Sequence, residues 1–182
     1  MHVIDTVFLV IWAVFWLYWF ASAIGVKSGR GRWGQFAATR IGIILIALLA
    51  LRLGVLRGHE ATNNPALWGI GLAVFLFGLG LAVWARLYLG RNWGMPMTEK
   101  AEPELVRTGP YRYVRHPIYS GILLGMAGTA VAVSVYWLIA VVVLGGYFIY
   151  SAFIEERNMT RLLPDAYPEY KRSTKMLIPF IF

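Results

Sequence analysis

Five apolar stretches, each close to the length of a membrane crossing, leave few folds open to this chain. They run roughly Val3–Gly25, Ala37–Leu56, Ala66–Leu89, Pro117–Val133 and Val135–Ile154. A helix rises 1.5 Å per residue, so ~20 apolar residues cross a hydrocarbon layer of ~30 Å. Inside that layer no water pairs with the peptide groups, so a crossing segment must pair its own and becomes a helix. The expectation is an all-α, polytopic membrane protein with about five transmembrane helices. Composition agrees: 59% of the residues are hydrophobic, against about 45–50% in soluble domains. The last two stretches are interrupted only near Ser134, which predicts a helical hairpin. Ala21-Ser22-Ala23 looks like a leader-cleavage site. Only His2 and Asp5 precede the apolar run, however, and Val7–Ile24 is long for a leader, so a retained first span is expected.

The basic residues divide unevenly among the connections. Lys27, Arg30, Arg32 and Arg40 flank the first, and only Arg52 and Arg57 flank the second. Arg86, Arg91, Lys100, Arg107, Arg112 and Arg115 flank the third, and Arg157, Arg161, Lys171, Arg172 and Lys175 lie in the tail. If connections alternate sides, 15 of the 17 Lys and Arg fall on one face. The positive-inside rule then puts the N-terminus outside and the tail in the cytoplasm. A formal charge of +8 placed around apolar spans fits contact with anionic membrane lipid, and no nucleic-acid partner is expected. The chain has no cysteine, which excludes thiol nucleophiles and disulfides. His2, His59 and His116 lack metal-ligand spacing, so no metal site is expected. Trp12, Trp16, Tyr18 and Trp19 read as lipid-contacting anchors.

Two polar segments bracket the expected hairpin, so they should meet in space. The first ends Leu105-Val106-Arg107-Thr108-Gly109-Pro110-Tyr111, then Arg115-His116-Pro117-Ile118-Tyr119-Ser120-Gly121. Proline suits the first turn of a helix, because its missing N–H would be unpaired there anyway. Arg115 and His116 therefore sit at a positive helix end, which favours anions, and Arg115 adds a planar donor. The plain alternative is that Arg112 and Arg115 bind lipid headgroups while His116 snorkels. The second segment holds Glu155-Glu156-Arg157 and Tyr167-Pro168-Glu169-Tyr170. Carboxylates at the end of a span face either a polar cavity or solvent. Glu155 is expected near the Arg115–His116 corner, with Glu156 turned away by about 100°.

These motifs, in order and spacing from Leu105 to Pro179, resemble those of the isoprenylcysteine carboxyl methyltransferase family and its phospholipid methyltransferase relatives. The shared pattern is Leu-Val, Gly-x-Tyr, Arg-His-Pro-x-Tyr-x-Gly, a helical hairpin, Glu-Glu, Tyr-x-x-Tyr and a late proline. Residues 1–89 match only as a three-helix scaffold, with 90–182 as the cofactor-binding half of a single membrane domain. The resemblance implies an S-adenosyl-L-methionine cofactor in a cytoplasmic pocket built from the connection before the hairpin and the tail. Carried over by position, its contacts are Leu105, Val106, Tyr111, His116, Pro117, Ile118, Tyr119 and Glu155, with Arg115, His116 and Glu155 as the catalytic set.

Two positions depart from the family. Pro103 stands where many members have His. Ser151, at the substrate-binding position, stands where the prenylcysteine enzymes have Arg. The implied activity is methyl transfer to a lipophilic, membrane-borne acceptor, with a neutral acceptor preferred over a carboxylate. A membrane sterol reductase-like enzyme using NADPH and a non-enzymatic scaffold are the other readings the sequence leaves open.

Overall fold

A computed structural model describes residues 3–22, 29–30, 64–93, 99–100 and 104–182. The expected second span, Ala37–Leu56, lies outside the described residues, as do His2, His59 and Pro103. Five helices are described: α1 (Val3–Ala21), α2 (Pro65–Leu89), α3 (Pro117–Ala132), α4 (Trp137–Leu162) and α5 (Ala166–Ser173). Single 3-10 turns occupy Gly90–Asn92 and Gly109–Arg112. A two-residue antiparallel pair, β1 (Gly29–Arg30) with β2 (Glu99–Lys100), is a small addition to the expected all-α chain. By length and composition α1, α2 and α4 can each cross a membrane, while α3 is a shorter apolar helix of 16 residues.

Local chemistry sets the ends of α2. Asn64 caps its start by accepting from the Ala66 N–H at 2.9 Å, and Pro65 fills the first helical position. Gly90, at φ 51, turns the chain out of the helix. α4 runs eight residues past the apolar limit at Ile154, to Leu162. Between Ile154 and Pro164 there is no glycine or proline, and Glu, Arg, Met and Leu all favour helix. Glu155 and Glu156 therefore ride on a rigid element.

α2 and α3 meet backbone to backbone. A Cβ added at Gly78 would lie 2.5 Å from Gly125 N and 2.6 Å from Gly121 O. One added at Gly128 would lie 2.5 Å from Phe75 N. In lipid there is little hydrophobic drive between helices, so small residues that permit such close approach supply the attraction. α1 packs onto this pair through aromatic rings. Phe8 stacks on Phe75 with centroids 4.5 Å apart, and Trp12 Nε1 donates to Thr129 Oγ1 at 3.2 Å. Trp19 is buried as well. Trp12 and Trp19 thus face protein rather than lipid, while Trp16 is exposed as expected. Residues 133–136 join α3 to α4, and the Trp137 N–H closes that turn on Ser134 O at 3.0 Å.

Candidate active site at the start of helix α3

The corner forms where the tail pairs with the end of the third connection. Gly109, at φ 59, starts the approach; a Cβ there would lie 2.6 Å from the Tyr88 ring, so only glycine lets the chain pass α2 this closely. The segment then runs parallel to the tail: the Arg115 N–H donates to Lys175 O at 2.8 Å and the His116 N–H to Met176 O at 3.0 Å. Ser120 Oγ extends the pairing one turn into α3 by donating to Leu177 O at 2.6 Å. The backbone N–H groups of Arg115 and His116, just before the helix, are therefore engaged by the tail.

Arg115 is likewise turned inward. Its Nε donates to Glu156 Oε1 at 2.6 Å, and its Nη1 donates to Thr174 O at 2.5 Å and Lys171 O at 3.3 Å. The Glu156 side chain is only 1% exposed. It also meets Lys171 Nζ at 2.7 Å and lies 3.4 Å from His116 Nε2. Burying a lone carboxylate costs several kcal/mol, so these cations are what make its position tenable. The sequence reading gave Glu156 the lesser place; it is the more deeply buried carboxylate of the two, and it locks the connection to the tail.

Glu155 faces the other way, with its side chain 26% exposed. Its Oε1 accepts from the Tyr119 hydroxyl at 2.5 Å, and its Oε2 lies 3.6 Å from His116 Nδ1. Tyr119 sits in a ladder of parallel rings, with His116 5.4 Å away on one side and Phe148 4.4 Å away on the other. Phe148, Ser151 and Glu155 recur at helical spacing, so α4 presents them on one stripe. Ser151 is fully buried, with its hydroxyl beside that of Tyr119.

The remaining expected residues fall around this corner. Pro117 and Ile118 are buried at the start of α3. Tyr111 is buried, and its carbonyl accepts from the Tyr170 hydroxyl at 2.6 Å. Leu105 and Val106 are half-buried, and Val106 packs on the main core. Arg107 pins α5 by donating to Ala166 O at 2.7 Å, with Glu169 3.7 Å away. Burial pushes the Tyr111, Tyr167 and Tyr170 hydroxyls above the ordinary tyrosine range, so all three stay neutral donors.

Sequence reasoning did not find Lys171, Thr174 or the Tyr119–Glu155 bond. Only the adjacency of the two glutamates hinted that one had to be paired. Arg86, one of the basic residues flanking the third connection, is buried between two helix ends. It donates to Gly90 O at 2.8 Å and to Ser22 O, and stacks 4.6 Å over Trp93. Cations are favoured at such C-terminal ends.

Comparison with known proteins follows the same corner. Residues 67–166 match a family model described as phospholipid methyltransferase. The nickel-cobalt-cadmium resistance protein NccN of Alcaligenes xylosoxydans xylosoxydans is 27% identical over 143 residues, covering 77% of this chain and 64% of that protein. A methanethiol S-methyltransferase of Pseudomonas sp. is 28% identical over 128 residues, covering 64% of this chain and 49% of that protein. The solved structure of the eukaryotic intramembrane Ras methyltransferase ICMT (isoprenylcysteine carboxyl methyltransferase) aligns with a TM-score of 0.61 at 21% identity. That alignment covers 83% of this chain and 54% of that one, and it shows a shared fold. The chain thus spans from about half to just under two-thirds of the length of these proteins.

Proposed function

The chain belongs to the phospholipid methyltransferase family, and on that premise we propose that it moves the sulfonium methyl of S-adenosylmethionine to a neutral, lipophilic acceptor in the membrane. The observation that carries this reading is the convergence of Glu155, Tyr119, His116 and Ser151 on one corner of an apolar bundle. The residues fit such a cofactor. Glu155 offers a partly exposed carboxylate for an ammonium or ribose group, the ring ladder offers flat apolar contact, and Ser151 adds a buried hydroxyl beside Tyr119.

When bound, S-adenosylmethionine supplies a methyl group on a cationic sulfur that departs as a neutral thioether. The chain contributes alignment and exclusion of water rather than acid–base power. The Tyr119 hydroxyl fixes the Glu155 carboxylate, and the ring ladder holds Tyr119 in place. Arg115 orders the corner through Glu156 and the tail carbonyls, a positioning role rather than direct contact with the cofactor. Leu105, Val106, Tyr111, Pro117 and Ile118 complete the cofactor side in this reading. The basic connections support a cytoplasmic site with the N-terminus outside.

The acceptor class follows from Ser151. A carboxylate entering from lipid needs a cation to offset its desolvation. Ser151 is neutral and fully buried, and the guanidiniums of Arg115 and Arg86 are already committed to other partners. A thiol, amine, hydroxyl or phenol should therefore outperform a prenylcysteine carboxylate.

The test has two arms. Calorimetry on detergent-solubilised protein should show binding of S-adenosylhomocysteine, weakened by roughly 1.5–3 kcal/mol in Glu155→Gln, the scale of a charge-assisted hydrogen bond. No binding by the parent protein would overturn the cofactor assignment. Labelled-methyl transfer to a farnesylated cysteine analogue, a long-chain thiol, a lipid amine and a quinol-like phenol tests the acceptor. Turnover of the farnesylated cysteine well above the others would refute the meaning given to Ser151.

A further inference from the structure

The last residues of the sequence, Ile178-Pro179-Phe180-Ile181-Phe182, form a closed turn to which the methyl-transfer reading assigns no cofactor or acceptor contact. Leu177 and Ile178 both donate their N–H to the main-chain oxygen of Phe182, at 2.7 and 2.6 Å. Ile181 and Phe182 donate back to Ile178 O at 3.2 and 3.0 Å. Pro179 has no N–H to satisfy, and Phe180 takes the left-handed φ of 67 that closes the loop. The turn is polar inside and apolar outside. Ile178, Phe180 and Ile181 are 50, 86 and 74% exposed. That matches Phe77 and Val142, at 67 and 73%, on the spanning helices α2 and α4.

Its place in the fold is fixed. Met176 and Leu177 are buried in the main core, and Ser120 ties Leu177 O to the first turn of α3. From Pro117 to Ser120 the helix rises about 4.5 Å, so the turn lies just beyond the charged corner, on the apolar side. Exposed Lys171, Arg172 and Lys175 precede it on the polar side. In water a cluster of bare aromatic and branched side chains is a liability. At a membrane surface the same design is suited to its place: the N–H groups of Leu177, Ile178, Ile181 and Phe182 paired internally, apolar side chains outward, and cations at headgroup level.

We propose that Ile178–Phe182 is an interfacial membrane anchor, set into the acyl–headgroup boundary beside the first turn of α3. Its occupant is the lipid bilayer. It holds the tail, and with it the Lys171–Glu156–Arg115 cluster, against the membrane face of the site. The inference does not depend on which methyl acceptor the protein uses.

The chain has no cysteine, so single-cysteine labelling is clean. Full-length Phe180→Cys and Ile181→Cys, each carrying a polarity-sensitive fluorophore, are reconstituted into phosphatidylcholine–phosphatidylglycerol vesicles. Val142→Cys is the lipid-facing reference and Arg172→Cys the aqueous one. Labels at 180 and 181 should be blue-shifted relative to 172. They should also be quenched several-fold more strongly than 172 by lipids nitroxide-labelled near the headgroup, and weakly by iodide present on both sides. Strong iodide quenching with no excess lipid quenching at both positions would overturn the proposal. Shielding from both quenchers would overturn it too, because it would place protein rather than lipid over the turn.

Discussion

Gly78→Ala is the sharpest test of the packing that holds the site. The added Cβ would lie 2.5 Å from Gly125 N, 2.6 Å from Gly121 O and 2.9 Å from Leu124 C. All three are backbone atoms, so no side chain can swing aside. Ordinary contact for carbon is about 3.5–4.0 Å, so α2 and α3 must part by roughly 1 Å. A gap of that size forfeits about a quarter to a half of each dispersion contact it opens, and overpacking of this kind costs about 1–3 kcal/mol. Alanine returns about 0.5–1 kcal/mol relative to glycine inside a helix. The net expectation is a loss of roughly 1–2 kcal/mol, or about tenfold in the folding equilibrium.

Gly80, two residues on in the same helix, is the control, since a Cβ there meets nothing within 4 Å. Gly80→Ala should be neutral or slightly stabilising. The assay is reversible unfolding in mixed micelles titrated with a denaturing detergent, followed by circular dichroism. Equal shifts for the two variants, or a Gly78→Ala protein as stable as the parent, would refute the backbone-contact argument.

Glu156→Gln leaves the buried Arg115 guanidinium beside a neutral amide, and should cost about 3–5 kcal/mol in the same unfolding assay; a loss below about 1 kcal/mol would mean the cluster is solvated. The buried Tyr170 hydroxyl, neutral below the ordinary tyrosine pKa and raised by burial in the fold, contributes stability that is complete below about pH 10 and lost as pH climbs through the higher folded value. Protease protection of the tail should therefore fall on the alkaline side, and less steeply in Tyr170→Phe; identical profiles would count against it. Reporter fusions after Lys100 and after Phe182 should report the same side of the membrane, and a fusion at Asn63 the opposite one. Asn63 and Lys100 on one side would sink the alternating topology.

The methyltransferase resemblance was legible because its motifs are local strings: Arg115-His116-Pro117, Glu155-Glu156 and Tyr167-Pro168-Glu169-Tyr170. The helix starting at Pro117 and the long apolar helices α1, α2 and α4 were legible for a similar reason. Hydropathy and the missing proline N–H act on the segment that carries them, whatever lies elsewhere. What those strings bind to was not legible. The choice between Glu155 and Glu156 turns on about 100° of rotation around α4, and that rotation is set by how Phe148 and Ser151 pack against Tyr119. Arg115 could as well have faced a ligand as Glu156, 41 residues away. The tail decides it, by laying Lys171 and the carbonyl of Thr174 beside the guanidinium. The return of Ile178–Phe182 to the apolar side of the corner had no signal in the sequence either, because it depends on hydrogen bonds to His116 and Ser120, more than 50 residues earlier. Hydropathy and helix propensity are sums over neighbours along the chain, so the sequence determines which segments become helices. The partner of a charge is set by neighbours in space, and only the packed structure decides it.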